Sequence, residues 1–324
     1  MLIEFLIVII GIIIILILAE IIIKNSIQLS EHYGLSDTFI GLTILSIGTS
    51  IPEIMTHIIG SVHILKNPET INTFSGLLMG TNIGSDIFQQ NFILPLIGII
   101  GTIIVIKKNL FSEVGALFAA ALLVWIFSLG GFISRIEGAI LLIAYIAYLV
   151  YLKKSKISEK FEAKNHLSKN KVILSFALLM MCFIIMAVVA NEVLNASTIL
   201  INALPISASF FGVIFLGIAS ALPELTTSLV AILKKKENIS AGILIGSNIT
   251  NPLLGIGLGA LISTYTVPNV IIFYDLPFKI GTAFLIYYFL TNDKKLKKWE
   301  AAVLISLSIA YLFIRQYFFT ADLF

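Results

Sequence analysis

Charge is the scarcest property of this sequence. Only 12% of its 324 residues are charged and the net charge is +3, whereas a soluble domain carries about 25% charged residues. The small net charge excludes a nucleic-acid binder, and the 58% hydrophobic content excludes a disordered chain. The single cysteine, Cys182, has no partner for an intrachain disulfide. No Cys/His cluster, nucleophile elbow or paired-aspartate motif occurs, so we expect no thiol or imidazole metal site, no cofactor and no enzyme.

Long apolar runs are what the sequence has in abundance. Its mean hydropathy is +1.04, and a helix needs about 20 apolar residues to cross a bilayer. The sequence therefore predicts an all-α polytopic membrane protein with ten transmembrane helices. We place these at 2–23, 38–65, 74–106, 111–129, 135–152, 172–194, 207–233, 240–263, 270–290 and 299–317.

The distribution of lysine and arginine tests this count, because connections alternate between the two sides and the cytoplasmic ones are enriched in basic residues. With ten helices, 17 of the 21 basic residues fall on one set of connections. The opposite set holds Lys66, Arg135 and Arg315, and Lys279 alone falls within a span. We therefore expect a cell-membrane protein with both termini outside. A lysine-rich cytoplasmic linker, 153–171, would join two five-helix halves, 1–152 and 172–324.

The two halves repeat each other. The segment FIGLTILSIGTSIPEIMT (39–56) aligns with FFGVIFLGIASALPELTT (210–227) at a constant offset of 171 residues. A second block, GTNIGSDIFQ (80–89), aligns with GILIGSNITN (242–251) at an offset of 162. Because each half holds an odd number of spans, the second copy enters the membrane from the opposite side. Such inverted repeats place a transport site near the membrane midplane, on interrupted helices at the repeat interface.

Three carboxylates fall well inside apolar spans: Glu53, Asp86 and Glu224. An ionised carboxylate is costly there unless it is paired, so each is a candidate functional residue. A buried structural ion pair or a neutral, hydrogen-bonded acid is the alternative for these residues. The ion pair requires a cation, and we expect the one basic residue within the spans, Lys279, to lie near Asp275, one turn away.

Proline precedes both repeat glutamates, at Pro52 and Pro223. Proline cannot donate a backbone hydrogen bond, so the helix opens and carbonyl oxygens are freed beside each carboxylate, although a simple kink would also explain a membrane proline. For any one polar neighbour, interhelical hydrogen bonding is the alternative, and His57 either tunes Glu53 or merely packs. Together the oxygen-bearing side chains predict an all-oxygen site for Ca²⁺ or Na⁺. These side chains are Thr49, Ser50, Ser85, Gln89, Ser220, Ser247, Asn248 and Asn251.

The charges also constrain the mechanism. Two carboxylates neutralise one divalent cation, but without a cation they leave two or three negative charges in a medium of low dielectric constant. The site should therefore be refilled, by Na⁺ or by protons, before it switches between inward and outward openings. This predicts an antiporter whose partners are inorganic cations and the lipid bilayer. Nothing in the sequence indicates an obligatory protein partner.

The segments GTSIPE (48–53), LPE (222–224) and GSNITNPLLGIG (246–257) closely resemble the two α-repeat motifs of the cation/calcium exchanger superfamily, and specifically of its sodium/calcium exchanger branch. The resemblance covers essentially the whole chain. It implies a five-plus-five inverted architecture with a cation site in the middle of the membrane. It also implies that Glu53 and Glu224 are shared Ca²⁺ and Na⁺ ligands, assisted by oxygens of Thr49, Ser50 and Ser220, with Gln89 and Asn251 at the amide or acid positions of the third and eighth helices.

The sequence departs from the family pattern at two positions. Asp86 stands where the family usually has a small residue or an amide, so it either adds a third charge to the site or stays protonated beside it. Gln89 stands where sodium exchangers often have asparagine, and glutamine there is similar to the proton-coupled calcium exchangers. We expect a Ca²⁺/Na⁺ antiporter that extrudes Ca²⁺, with Ca²⁺/H⁺ exchange as the alternative and a cation channel less favoured.

Overall fold

The computed structural model describes residues 2–33, 41–100, 107–154, 167–203, 206–233, 237–293, 296–319 and 321–324. The first half contains helices α1 (Leu2–His32), α2 (Gly41–Thr49 and Ile51–Lys66), α3 (Pro68–Ile100), α4 (Lys107–Ser128) and α5 (Arg135–Lys154). The second half contains α6 (Lys169–Ala203), α7 (Ala208–Leu233), α8 (from Glu237 to Ile262), α9 (from Ile271 to Asp293) and α10 (Lys298–Phe318). The prediction of an all-α membrane protein is confirmed.

The number of membrane spans stays a prediction. Within the described ranges, eight helices are individually long and apolar enough to cross a membrane, and the two parts of α2 together make a ninth. The apolar described part of α4, Val114–Ser128, is shorter than a full span. Helices α1 and α6 continue to His32 and Ala203, past the predicted ends at residues 23 and 194, because hydropathy marks only the part of a helix inside the hydrocarbon.

Part of the sequence prediction falls on residues that the structure does not describe. These are residues 38–40, which start the second predicted span and the first repeat block, and residues 101–106, which end the third predicted span. Residues 155–166 of the linker and the lysines at 234–236 and 294–295 also belong to this group.

The same helix irregularities occur in both halves. Helix α2 bends by 51° at Ser50, and α7 is interrupted at Ala221, which lies at the repeat offset of 171. Each break is followed by a proline, Pro52 or Pro223, which has no backbone N–H to continue the helical hydrogen bonds. π-Helical segments also occur at equivalent positions of the two repeats. Gly41–Leu45 corresponds to Gly212–Gly217, and Gln89–Ile93 corresponds to Asn251–Ile256. The two-repeat organisation is therefore confirmed.

Glycines let the broken helices cross closely at the centre of the molecule. Gly80 and Gly84 on α3 lie against the backbone of α7, and a Cβ added at Gly212 of α7 would lie 2.8 Å from the amide nitrogen of Thr81. The equivalent contact in the other half sets Gly246 of α8 against α2. About 89% of the apolar stretch of α8 is buried, against 19% of that of α6. Helices α2, α3, α7 and α8 thus form the core, and the functional blocks lie on them.

Two connections pair on one face of the molecule. The strand β1 (Phe132–Ile133), between α4 and α5, pairs antiparallel with β2 (Tyr265–Thr266), between α8 and α9. On the same face, the amide of Asn269 donates to the carbonyl of Leu323 near the C-terminus, at 2.6 Å. These connections therefore lie on one face, which agrees with the four predicted spans between β1 and β2. Which side is cytoplasmic stays a prediction.

Candidate cation-binding site

Helix breaks position the two repeat glutamates. Glu53 lies in the first turn of Ile51–Lys66 and Glu224 in the first turn of Leu222–Leu233. Both are buried, with 1% and 0% of their surface exposed, and their charges act on each other. The N-terminal end of a helix carries a partial positive charge, which favours a carboxylate. Each break thus starts a new helix whose positive end faces the middle of the molecule.

A hydroxyl of each repeat lies near the glutamate of the other. Ser220 lies near Glu53, and Thr49 lies near Glu224. Thr49 Oγ1 is 3.3 Å from the carbonyl of Ser46, and Ser220 Oγ is 3.1 Å from that of Gly217. A hydroxyl has one proton and two lone pairs, so donating this proton to the backbone leaves an oxygen lone pair available to a cation.

Side chains of α3 and α8 surround the glutamates. Ser85 Oγ donates to Glu53 Oε1 at 2.8 Å, and it accepts from Gln89 Nε2 at 3.1 Å. Gln89 Oε1 in turn accepts from Ser247 Oγ and, at 3.2 Å, from Asn248 Nδ2. The structure therefore brings together the amides and hydroxyls that the two repeat blocks predicted.

Asp86 has a counter-ion, which the sequence did not predict. Asp86 Oδ2 pairs with Lys279 Nζ, and Asp86 Oδ1 accepts from Asn251 Nδ2 at 2.8 Å. Lys279 therefore does not form its ion pair with Asp275, the residue that the sequence placed beside it. Asp275 instead pairs with Arg315, whose Nε lies 3.1 Å from its Oδ1. The spacing of residues in the sequence shows only which side chains are neighbours on one helix. The partners of Lys279 and Asp275 on α9 come instead from two other helices, α3 and α10.

The Asp275 pair corrects two further predictions. Asp275 is fully buried and Glu300 is buried as well, so five carboxylates are buried among the described residues, whereas the sequence had placed only three well inside the spans. Arg315, predicted on an outer connection, is fully buried within α10. It also donates to Ser209 and, at 2.8 Å, to the carbonyl of Phe319, so this group fastens α7, α9 and α10 together.

Oxygen atoms without a hydrogen-bond partner define the centre of the site. Nearly all buried polar atoms in proteins are paired, because an unpaired one is costly. Among the residues that the structure describes, the unpaired buried oxygens of the predicted site are Glu53 Oε2, both Glu224 carboxylate oxygens, Ser50 Oγ, Asn248 Oδ1 and Asn251 Oδ1. Carboxylate, hydroxyl and amide oxygens are the ligands that Ca²⁺ prefers.

The acidic component of this site is small. The described part of the chain contains no group of three or more Asp, Glu, His or Cys side chains arranged to hold a metal ion. Two glutamates and neutral oxygens thus make up the candidate site. Such a ligand set suits a cation that must be released as readily as it is bound.

A buried polar chain beside the site includes residues that sequence reasoning did not connect. His57 Nδ1 lies 3.0 Å from the hydroxyl of Tyr265, and His57 Nε2 lies 3.1 Å from Asn82 Nδ2. The hydroxyl of Tyr265 also lies 2.7 Å from Ser61 Oγ. Burial raises the pKa of Tyr265, so its hydroxyl stays protonated. Tyr265 comes from the β2 connection, and no local sequence signal links it to α2.

A cavity adjoins the site on the side of α1 and α6. Polar groups of the broken helices and of α3 reach it, and apolar residues of the two outer helices close it. Its lining includes Pro52, Thr56, Thr81, Ser220 and Pro223.

Comparison with known proteins identifies the family. The model of the sodium/calcium exchanger protein family matches residues 3–154 and 174–317. The sodium/calcium exchanger MaX1 of Methanosarcina acetivorans is 25% identical over an alignment of 357 residues, which covers 97% of this chain and 99% of that protein. The inner membrane protein YrbG of Escherichia coli is 28% identical over 244 residues, covering 72% of each chain.

A solved structure agrees. The sodium-calcium exchanger NCX_Mj, soaked with Na⁺ and Sr²⁺, shares 26% sequence identity and superposes with a TM-score of 0.67, covering 95% of this chain and 96% of its own. The chain is therefore a membrane cation exchanger that belongs to the sodium/calcium exchanger family.

Proposed function

We propose that this protein exchanges Ca²⁺ for Na⁺ across the cell membrane by alternating access, and that it extrudes Ca²⁺. The observation that carries the proposal is the pair Glu53 and Glu224. They come from opposite repeats, are buried together and have unpaired oxygens. Their two negative charges balance one Ca²⁺ or two Na⁺, so either cation can neutralise the same pair.

The remaining predicted residues take two roles in this proposal. Oxygens of Thr49, Ser50, Ser220, Asn248 and Asn251 complete the coordination of the cation. Ser85, Gln89 and Ser247 hold the ligands in place through the hydrogen bonds that join α3 and α8.

The neutral oxygens favour Na⁺ over H⁺ as the counter-transported ion. A transported proton binds to one carboxylate oxygen, whereas Na⁺ is coordinated by several oxygen atoms at once. Ser50 Oγ, Asn248 Oδ1 and Asn251 Oδ1 are buried without a partner, and each would gain one from Na⁺. Gln89 is the one feature that favours proton coupling, since it stands where sodium exchangers often have asparagine.

The orientation is part of the proposal. We place the linker 153–171 and the other lysine-rich connections in the cytoplasm, with both termini outside, because 17 of 21 basic residues belong to that set. In this orientation, Na⁺ entering the cell drives Ca²⁺ out. Each net charge that moves inward draws about 2.3 kcal/mol per 100 mV from the membrane potential.

Reconstituted flux tests the proposal. In proteoliposomes loaded with Na⁺, uptake of radioactive Ca²⁺ should require an outward Na⁺ gradient. Glu53→Gln and Glu224→Gln should each abolish the uptake. The matched control is Glu69→Gln, since Glu69 is exposed in the first turn of α3 and should leave the flux unchanged. Uptake driven equally by a pH gradient without sodium would assign the protein to proton exchange, and gradient-independent equilibration would identify a channel.

A further inference from the structure

The ion pair between Asp86 and Lys279 lies at the edge of the proposed cation site and has no part in the exchange derived above. Both side chains are buried, with 0% and 1% of their surface exposed. Both Asp86 oxygens are occupied, Oδ2 by Lys279 and Oδ1 by the amide of Asn251. Asp86 therefore already has a counter-ion and a hydrogen-bond donor, and its negative charge is neutralised within the protein.

The pair is fixed in place by its surroundings. Gln90 Nε2 donates to the carbonyl of Lys279 at 2.9 Å and to Thr282 Oγ1 at 2.6 Å. Asn91 Nδ2 also donates to Thr282 Oγ1, at 3.1 Å. The π-helical segment of α3 is thus fastened to α9 beside the pair, and the Lys279 ammonium is held against Asp86.

The other half of the molecule has a neutral residue at the position of Asp86. At the repeat offset of 162, Asp86 corresponds to Asn248. Asn248 Nδ2 donates to Gln89 Oε1 at 3.2 Å and to the carbonyl of Leu244 at 3.0 Å. One half therefore holds a carboxylate where the other holds an amide, and the amide needs no counter-ion.

We propose that the Lys279 ammonium is a built-in cation. It fills the place beside Asp86 that a monovalent cation would otherwise occupy, so that the transported ions neutralise only Glu53 and Glu224. A carboxylate inside the membrane requires a counter-charge, and a tethered one stays bound when the transported ions leave. This inference rests on the proposed cation exchange and specifies which carboxylates the exchanged ions neutralise.

Asp86 then acts as a positioning residue. A carboxylate only accepts hydrogen bonds, so Asp86 compels Asn251 to present its NH₂ group. The other end of that amide, Oδ1, is left without a protein partner and faces the site as a cation ligand. Lys279 thus keeps Asp86 neutralised while Asp86 orients Asn251, and an asparagine at position 86 would accept the same hydrogen bond through its own amide oxygen.

Three variants test the proposal: Lys279→Leu, Lys279→Arg and the double variant Asp86→Asn with Lys279→Leu, which removes both charges of the pair. Thermal unfolding in detergent is followed first in choline chloride without Ca²⁺, then with added K⁺ or Na⁺. We expect Lys279→Leu to unfold at lower temperature in choline and to regain several degrees in K⁺ or Na⁺, beyond the gain of the wild type. Lys279→Arg and the double variant should respond as the wild type does.

Flux gives the second readout. In proteoliposomes, the Hill coefficient for the Na⁺ dependence of Ca²⁺ exchange should rise by about one in Lys279→Leu and stay at the wild-type value in the double variant. The proposal is overturned if Lys279→Leu gains no extra cation response. It is equally overturned if the double variant loses Ca²⁺ exchange as completely as Glu53→Gln does.

The two proposals fail separately. A wild-type protein without sodium-coupled Ca²⁺ flux would refute the proposed function, whereas the cation response of Lys279→Leu in detergent requires no transport. If Lys279→Leu does not fold, the double variant still decides the question. Retained exchange with an unchanged Hill coefficient supports the built-in cation, and lost exchange refutes it.

Discussion

Two serines at equivalent repeat positions should contribute unequally to cation binding. Ser85 and Ser247 are related by the offset of 162, so the repeat alone predicts equal roles. In the structure, Ser85 Oγ donates to Glu53 Oε1 at 2.8 Å, whereas Ser247 Oγ donates to Gln89 Oε1. The first is a hydrogen bond to a carboxylate, and the second joins two neutral groups. Removing each hydroxyl therefore tests whether the described asymmetry matters for cation binding.

The expected magnitudes follow from the two kinds of bond. A hydrogen bond to a charged group contributes about 1.5–3 kcal/mol, so Ser85→Ala should weaken the apparent Ca²⁺ affinity by roughly 10- to 150-fold, because Glu53 loses the group that orients it. A neutral bond contributes about 0.5–1.5 kcal/mol, or roughly 2- to 12-fold. Ser247→Ala should lie at the low end of that range, since Asn248 Nδ2 still donates to Gln89 at 3.2 Å.

The assay is the Ca²⁺ concentration dependence of uptake into Na⁺-loaded proteoliposomes, with both variants checked for equal reconstitution. Thermal unfolding in detergent separates weakened binding from a damaged fold. The reasoning is refuted if Ser247→Ala weakens Ca²⁺ binding as much as Ser85→Ala does. It is equally refuted if Ser85→Ala leaves the affinity unchanged.

Three further predictions concern stability, measured by thermal unfolding in detergent. Gly212→Ala should destabilise by about 1–3 kcal/mol, since its Cβ meets the backbone of α3, whereas Gly281→Ala, with no atom within 4 Å, should not destabilise. Arg315→Met should cost about 3–5 kcal/mol because Asp275 is left buried without its counter-ion, and a loss below about 1 kcal/mol would contradict this. Tyr265→Phe should cost about 1–3 kcal/mol, because two buried polar groups on α2 lose their partner, and an unchanged midpoint would contradict it.

The glutamates show how far sequence reasoning reaches into this site. The break before Glu53 and the break before Glu224 could both be predicted, because proline interrupts a helix through its own ring and missing N–H. The repeat alignment also predicted that the two halves bring their polar blocks together. The crosswise arrangement, with Ser220 near Glu53 and Thr49 near Glu224, needed the fold.

The polar chain from His57 to Tyr265 marks the limit of that reasoning. His57 lies one turn after Glu53, and sequence left its role open between tuning the carboxylate and packing. In the structure both ring nitrogens lie within hydrogen-bonding distance of other residues, Tyr265 and Asn82. Tyr265 is 208 residues away in sequence from His57, so no local pattern could connect them.

The sequence by itself determined the membrane setting, the inverted repeat and the helix breaks, and it predicted the oxygen ligands of the candidate site. These depend on the hydrophobicity of each segment, on the odd number of spans in each half and on the geometry of proline, all of which can be read along the chain. Only the tertiary structure decided the pairing of buried charges, Asp86 with Lys279 and Asp275 with Arg315. A buried charge binds the counter-ion that its neighbouring helices bring within reach, and helix neighbours are set by packing. Packing thus left Glu53 and Glu224 as carboxylates with unpaired oxygens for a transported cation.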